Sequence, residues 1–234
     1  MISTRDRIVV LTGAGVSAES GLGTFRDKDG LWTKYDLNEV ATPEGYARNP
    51  AFVQGFYNAR RANLRDAAHN AAHAALAELQ GAMGDRLTLV TQNVDDLHEQ
   101  AGSRDVIHMH GQLMRALCGG CGHRWDAPED MQPHHPCPSC AAPAGRPDVV
   151  WFGEIPYHMD QITDAITGCD LFVAIGTSGN VYPAAGFAAM ARDIGAVTLE
   201  LNLEPSDVAT DFVASRYGPA SEIVPAWVAE VLAR

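Results

Sequence analysis

What the sequence has little of narrows the field first. No apolar run approaches the roughly eighteen residues that a membrane-spanning helix needs, so no membrane partner is expected. Basic residues are scarce: 17 Lys and Arg against 29 Asp and Glu give a formal net charge of −12. No run of adjacent Lys or Arg is longer than the pair Arg60-Arg61. Binding a phosphate backbone takes a concentrated basic surface, so nucleic acid is not an expected partner either. Low-complexity tracts and internal repeats are absent, which excludes disordered and solenoid architectures. The first residues, MISTRDRIVVLTGAG, lack the basic, apolar and small-residue series of a secretory signal. A cytoplasmic location with reduced thiols is therefore expected. Neither end carries a Lys/Arg-rich tail, and a monomer is expected.

Cysteine is sparse too, five in 234 residues, yet four of them form two pairs, Cys118/Cys121 and Cys137/Cys140. Two Cx2C turns separated by fifteen residues have the spacing of a four-thiolate zinc site, because each short gap aims both sulfurs at one tetrahedral ion. One structural Zn2+ is expected. The intervening residues 122–136 are polar and cannot bury a core, so metal binding would supply the folding energy. Disulfides or free thiols are the alternative. His123, His134 and His135 share the loop, but four thiolates already complete the shell. Cys169 lies in the apolar approach to a strand and reads as a small buried hydrophobe.

Short β-branched runs at 7–12 (RIVVLT), 87–91 (LTLVT), 105–109, 149–152, 171–175 (LFVAI) and 197–201 read as strands. Helical patterns such as 183–194 separate several of them. This alternation predicts an α/β chain with a parallel sheet and helices on both faces. Residues 49–80 are alanine-rich and helical, with Asn49-Pro50 as the start. With the cysteine loop they form a candidate smaller module inserted into the sheet domain.

After the first run comes Gly13-Ala14-Gly15-Val16-Ser17-Ala18, which satisfies the GxGxxG/A dinucleotide fingerprint. In that reading Gly13 makes the turn, Gly15 lets a pyrophosphate approach and Ala18 packs the helix. A hydride-transfer enzyme would follow with a second strand ending in an acidic residue, but 27–36 (DKDGLWTKYD) is a polar loop. The whole stretch from Gly13 to Arg26, GAGVSAESGLGTFR, resembles the NAD-binding loop of the sirtuins. The resemblance continues through Thr91-Gln92-Asn93-Val94-Asp95, His108-Met109-His110-Gly111, the four cysteines, residues 150–154 (VWFGE), Gly176-Thr177-Ser178 and residues 200–204 (ELNLE). It covers nearly the whole chain. One departure is Gly23, where many members have proline, which should loosen the cofactor loop.

The resemblance implies a single catalytic domain over 1–234. Its Rossmann-like part would take about 1–30, 86–115 and 148–234, and its small module about 31–85 (helical) and 116–147 (zinc-binding). It implies that NAD is consumed as a co-substrate: an acyl-lysine oxygen attacks the nicotinamide ribose, nicotinamide leaves, and the acyl group ends on ADP-ribose. Such a site needs positioned polar groups and exclusion of water. By resemblance Asn93 and Asp95 act in catalysis and hold nicotinamide and its ribose. Phe25 and Arg26 would close over the pocket, and Ala14, Ser17, Trp32 and Gln92 would also bind the cofactor. Gly176, Thr177 and Ser178 would meet phosphate or ribose, and Asn202, Leu203, Glu204 and Ala220 the adenosine end. From spacing alone Asn93 and Asp95 could equally cap a helix starting near Val94. His110 is the general base by resemblance; spacing cannot separate it from His108, since on a strand both would face one side. Val150, Phe152 and Gly153 would bind the substrate protein as an added strand.

Tyr57 and Arg60, three apart on a helix, can reach one pocket together, where a guanidinium and a phenol would hold a carboxylate. Arg61 is an equally good partner from spacing, and a solvated helix face explains the pair as well. The resemblance picks Tyr57 and Arg60 as the motif of sirtuins that remove succinyl and malonyl groups, with deacetylation retained. Protein ADP-ribosylation and a non-catalytic zinc-ribbon module that binds acylated tails are the other classes carried forward.

Overall fold

In the computed structural model, which describes residues 3–23 and 35–234, five of the six β-branched runs, all but 149–152, supply strands of a parallel sheet. The strands are β1 (Ile8–Thr12), β2 (Leu87–Thr91), β3 (Ile107–His108), β4 (Gly111–Cys118), β5 (Arg124–Asp126), β6 (Gly145–Val149), β7 (Leu171–Ile175), β8 (Val197–Asn202) and β9 (Ala214–Tyr217). The helices are α1 (Leu37–Val40), α2 (Pro43–Arg48), α3 (Pro50–Arg65), α4 (Ala71–Met83), α5 (Leu97–Gln100), α6 (Met159–Thr167), α7 (Phe187–Asp193) and α8 (Ala220–Leu232). Six strands line up as β3-β2-β1-β7-β8-β9, and every pairing among them is parallel. Both β1 and β7 are buried along their whole length, as strands covered on two faces must be.

Two apolar clusters sandwich this sheet. Ile8, Val10, Leu89 and Val173 face Leu76, Leu79 and Met83 of α4 and Val224, Trp227 and Val228 of α8. On the other face Val9, Leu11 and Phe172 meet Ile162 and Ile166 of α6 and Phe187 and Ala191 of α7. A third cluster lies outside the sheet, where Val53, Phe56, Tyr57 and Leu64 of α3 pack on Leu97, Leu113, Val149 and Trp151. Strands β5-β4-β6 form a separate antiparallel sheet that carries the cysteine loops.

Three sequence expectations need correction. The helical stretch 49–80 is two helices. Asn49 caps α3 as expected, its side chain accepting from Phe52 N, but the chain breaks after Arg65 and restarts where Asn70 accepts from Ala72 N and His73 Nδ1 accepts from Asn70 N. The strand expected at 149–152 lies earlier, at Gly145–Val149, and the apolar residues 150–152 are its exit. The strand expected at 105–109 shortens to Ile107–His108.

Candidate active site and metal centre

Chain order turns around at β1 and β7: β2 and β3 lie to one side of β1, β7, β8 and β9 to the other. Ligands of open α/β sheets bind outside the carboxyl ends of the strands at such a switch point. Here the Gly13 loop and the Gly176 loop meet. Gly15 N donates to Gly176 O at 2.9 Å, and Gly13 N to Ile175 O at 2.9 Å. A Cβ on Gly13 would lie 2.8 Å from Gly176 O, one on Gly15 2.7 Å from Gly176 Cα, and one on Gly176 2.4 Å from Val16 N. The glycines therefore serve loop-on-loop packing as well as any ligand. Past them residues 14–16 and 18–20 form 3-10 turns where the fingerprint leads one to expect a helix.

Asn93 and Asp95 follow β2 and are buried beside this junction. Asn93 Nδ2 donates to Gly13 O (3.2 Å) and Ser17 Oγ (3.1 Å), and Ser17 Oγ donates to Asp95 Oδ2 (3.0 Å). Asp95 Oδ1 also accepts at 3.3 Å from the N–H of Leu97, the first residue of α5, whose N-cap is Asp96; the helix thus starts three residues beyond Val94. Burial raises the Asp95 pKa from the usual carboxylate value, against the hydrogen bonds from Leu97 and Ser17. Sequence reasoning missed the layer beneath. Thr12 Oγ1 donates to Thr91 Oγ1 (2.9 Å), which accepts from Asn93 N (3.0 Å), and Thr12 Oγ1 also lies 2.9 Å from His98 Nε2. His98 packs edge-on against His73, whose Nε2 is 3.4 Å from Ser17 Oγ. Burial lowers both imidazole pKa values, that of His73 to about 4. A threonine in a β-branched run looks like any strand residue, and no spacing marks these two histidines.

The structure separates His108 from His110. His108 ends β3 between two acceptors, Glu99 Oε1 at 2.7 Å and Asn93 O at 3.3 Å. His110 lies beyond the strand, just before Gly111 at φ +82°, so the premise that the two share a strand face fails. Its Nδ1 is 3.0 Å from Gln92 O. A carbonyl only accepts, so Nδ1 carries the proton and Nε2 keeps a lone pair. Burial lowers the His110 pKa, and the Gln92 carbonyl works in the opposite direction. Neutral imidazole is the form a general base needs.

On α3, Tyr57 is buried and its hydroxyl accepts from Trp151 Nε1 at 2.9 Å. Burial raises its pKa, so the phenol stays protonated. The Arg60 guanidinium carbon lies 6.0 Å from the Tyr57 ring centre and 5.7 Å from that of Phe56. Burial lowers the Arg60 pKa, while Tyr57 and Asp95 favour its charge. Arg61 is fully buried and donates to Asn58 Oδ1, and Asn58 in turn bonds Asp130 and Met131 of the cysteine module.

Residues 150–152 run alongside without forming a strand. Val150 N donates to His110 O, Trp151 N to Glu154 Oε2 and Phe152 N to Ala41 O. These N–H groups are committed internally and offer an added peptide no donor, and Trp151 O is taken as well, by Glu154 N. Phe152 is half exposed, and Gly153 adopts φ +90°.

At the far end Asn202 Nδ2 donates to Thr177 O at 2.7 Å, tying the loops after β7 and β8 together. Leu203 is exposed at that loop, and Ser178 O accepts from Asp207 N. Ala220 opens α8 and packs partly buried on the core. Phe25, Arg26 and Trp32 lie outside the described residues.

The four paired cysteines converge. Their sulfurs all lie within 4.8 Å of one another, with Cys118–Cys140 at 3.7 Å and Cys121–Cys137 at 3.8 Å. A tetrahedron with Zn–S bonds of about 2.3 Å has sulfur edges of about 3.8 Å, so the set fits zinc. Disulfide bonds at about 2.05 Å do not fit these distances. Cys169 is buried apart from them.

A sequence model of the Sir2 family matches residues 13–183. An NAD-dependent protein deacylase of Caulobacter vibrioides is 63% identical over 232 residues, covering 97% of this chain and 98% of that protein. One from Escherichia coli K12 is 54% identical over 231 residues, covering 97% and 83%. Among solved structures, a Sir2 homologue in complex with NAD superposes with a TM-score of 0.87 at 37% identity, covering 97% of this chain and 90% of that one. A Sir2 complex with an inhibitor, 2′-O-acetyl-ADP-ribose and a deacetylated peptide gives 0.79 at 26% identity, covering 95% and 93%.

Proposed function

The chain belongs to the Sir2 family, and on that premise we propose that it is an NAD-dependent protein lysine deacylase acting on succinyl, malonyl and acetyl groups. The observation that carries the reading is His110. With Nδ1 committed to Gln92 O, its Nε2 is the basic atom at the carboxyl edge of the sheet, next to the Asn93–Asp95 cluster.

NAD supplies the chemistry of a breakable bond between nicotinamide and ribose. The residues do the rest. Asn93 and Asp95 hold nicotinamide and its ribose in a buried setting where fixed dipoles act with little screening. His110 Nε2 takes a proton from a ribose hydroxyl, so that the oxygen can attack the acyl carbon. Ala14, Ser17 and Gln92 line the same pocket. Gly13, Gly15, Gly176, Thr177 and Ser178 hold the phosphates and adjoining ribose, and Asn202, Leu203, Glu204 and Ala220 the adenosine end. Phe25, Arg26 and Trp32, outside the described residues, are assigned to the cofactor by the family resemblance alone. The acyl-lysine enters along Val150, Phe152 and Gly153, and a carboxylated acyl group reaches Tyr57 and Arg60.

Cys118, Cys121, Cys137 and Cys140 hold one structural zinc, with no ligand position left open. We also propose two structural parts, with one change to the small module expected over 31–85: α4 packs on the sheet face beside α8, which leaves that module α1–α3 with the cysteine sheet. The net charge of −12 supports a protein substrate over nucleic acid. No helix among the described residues is long and apolar enough to cross a membrane. The grouped thiols support a reducing, cytoplasmic setting, and we assign a monomer.

The test is mass spectrometry of succinyl- and acetyl-lysine peptides with and without NAD. Wild type should give free lysine and O-acyl-ADP-ribose only when NAD is present. His110→Tyr should lose about 10²- to 10⁴-fold in rate on both peptides. Arg60→Met should lower the succinyl-to-acetyl ratio of kcat/KM. ADP-ribosylated protein in place of O-acyl-ADP-ribose would overturn the deacylase reading.

A further inference from the structure

Trp151 is more tightly fixed than a residue at the end of a strand needs to be. It is 3% exposed, and the Arg146 guanidinium carbon lies 3.6 Å from its ring centre. Arg146 is clamped in turn by Glu154, at 2.6 Å and 2.9 Å, and the same carboxylate accepts from Trp151 N at 2.8 Å. Tyr46 closes the other neighbourhood of the ring, with centroids 5.1 Å apart. Backbone and indole are therefore both held, and the indole N–H is delivered to Tyr57 OH at 2.9 Å.

Indole N–H can only donate, so in this contact the Tyr57 oxygen must accept. A phenol has one proton, and that proton is then committed to some other acceptor. For a carboxylated acyl group brought in beside Arg60, the carboxylate is that acceptor. A phenol without the indole could turn its lone pair to the pocket as readily as its proton, and a lone pair facing a carboxylate repels it. An acetyl group has no carboxylate and is indifferent to which way the hydroxyl points.

We infer that Trp151 is a positioning residue for acyl selectivity, which acts through the Tyr57 hydroxyl to favour carboxylated acyl groups over acetyl. The inference rests on the reading of Tyr57 and Arg60 as the acid-acyl pocket. It adds to that pocket a residue from the opposite wall, the segment along which the substrate protein enters.

The test compares steady-state kinetics on succinyl- and acetyl-lysine peptides for wild type, Trp151→Phe, Tyr57→Phe, the Trp151→Phe/Tyr57→Phe double variant and Arg60→Met. Trp151→Phe should lower the succinyl-to-acetyl ratio of kcat/KM about tenfold, the scale of one hydrogen bond to a charged group, chiefly through KM for the succinyl peptide. In the Tyr57→Phe background the same change should leave the ratio where Tyr57→Phe alone puts it. If Trp151→Phe folds poorly, benzothienylalanine at position 151 keeps the bicyclic ring and removes only the N–H. Equal losses on both peptides, or independent effects of the two substitutions, would overturn the inference. If Arg60→Met collapses the ratio but neither indole replacement moves it, Trp151 is structural and the acid pocket stands. If Arg60→Met leaves the ratio unchanged, the pocket assignment fails and takes this inference with it.

Discussion

Around Asn93, buried polar groups satisfy one another between two apolar clusters, whereas around Cys118 a polar chain wraps four sulfurs with almost nothing apolar beneath it. Between residues 119 and 144 only Met131 and Cys137 are buried. The cluster of Thr12, Thr91, Asn93, Ser17, Asp95, His98 and His73 instead sits at the end of β1, which is buried along its whole length, and of β2, buried but for Thr88. Desolvating those polar groups is tolerable because the surrounding sheet already has the folding energy and, His98 Nδ1 apart, their side-chain polar atoms find partners. The cysteine module has no such reserve, and its order comes from the ligand set.

Removing the metal should separate the two regions most sharply. A chelator, or Cys121→Ser, should abolish amide-exchange protection in the cysteine loops, given that structural zinc contributes on the order of 10 kcal/mol. Protection in β1 and β7 should persist. Loss in both at once would mean that the regions fold as one.

Gly176→Ala strikes the other region. Its Cβ would collide with Val16 N at φ +62°, and we expect a loss of about 4 kcal/mol in urea denaturation with the cysteine loops still ordered. Acid should also act on the polar cluster. His73 and His98 have lowered pKa values in the fold, so their effect is nil above the unfolded value near 6.5. As pH falls, the unfolded chain takes protons that the folded one refuses. For His73 alone, stability should drop by about 3 kcal/mol between pH 6.5 and its folded value of about 4. Denaturation of wild type and His73→Gln across that window measures the difference, and parallel curves would remove His73 from the account.

The smallest effect lies at the seam. Asn58 bridges buried Arg61 to Asp130 and Met131, so Asn58→Ala should cost about 2 kcal/mol and raise exchange first around Met131.

Much of this was readable in advance because it rests on spacing. The glycine loop, the two cysteine pairs and the apolar runs that became β1, β2 and β7 announce themselves locally. Strand β6 did not, since Gly145, Arg146, Pro147 and Asp148 argue against a strand. Tertiary pairing overrides that propensity: Arg146 binds Glu154, and Asp148 accepts from Arg124 and Tyr157. The break between α3 and α4 was equally silent, because residues 66–70 (DAAHN) contain neither glycine nor proline and the N-cap pairs Asn70 with a histidine. In the candidate site, spacing left Arg60 and Arg61 level, and only the resemblance chose Arg60. That Asn58 ties buried Arg61 to Asp130 and Met131, 72 and 73 positions beyond Asn58, is nothing a local pattern carries.

The interlocked glycines after β1 and β7 bear on how this molecule can be redesigned. Gly13, Gly15 and Gly176 touch backbone to backbone, so neither loop has a shape of its own. A graft that imports one loop from a relative, to change which dinucleotide is accepted, inherits half of a fitted pair. The two segments, more than 160 residues apart in the chain, have to be exchanged together.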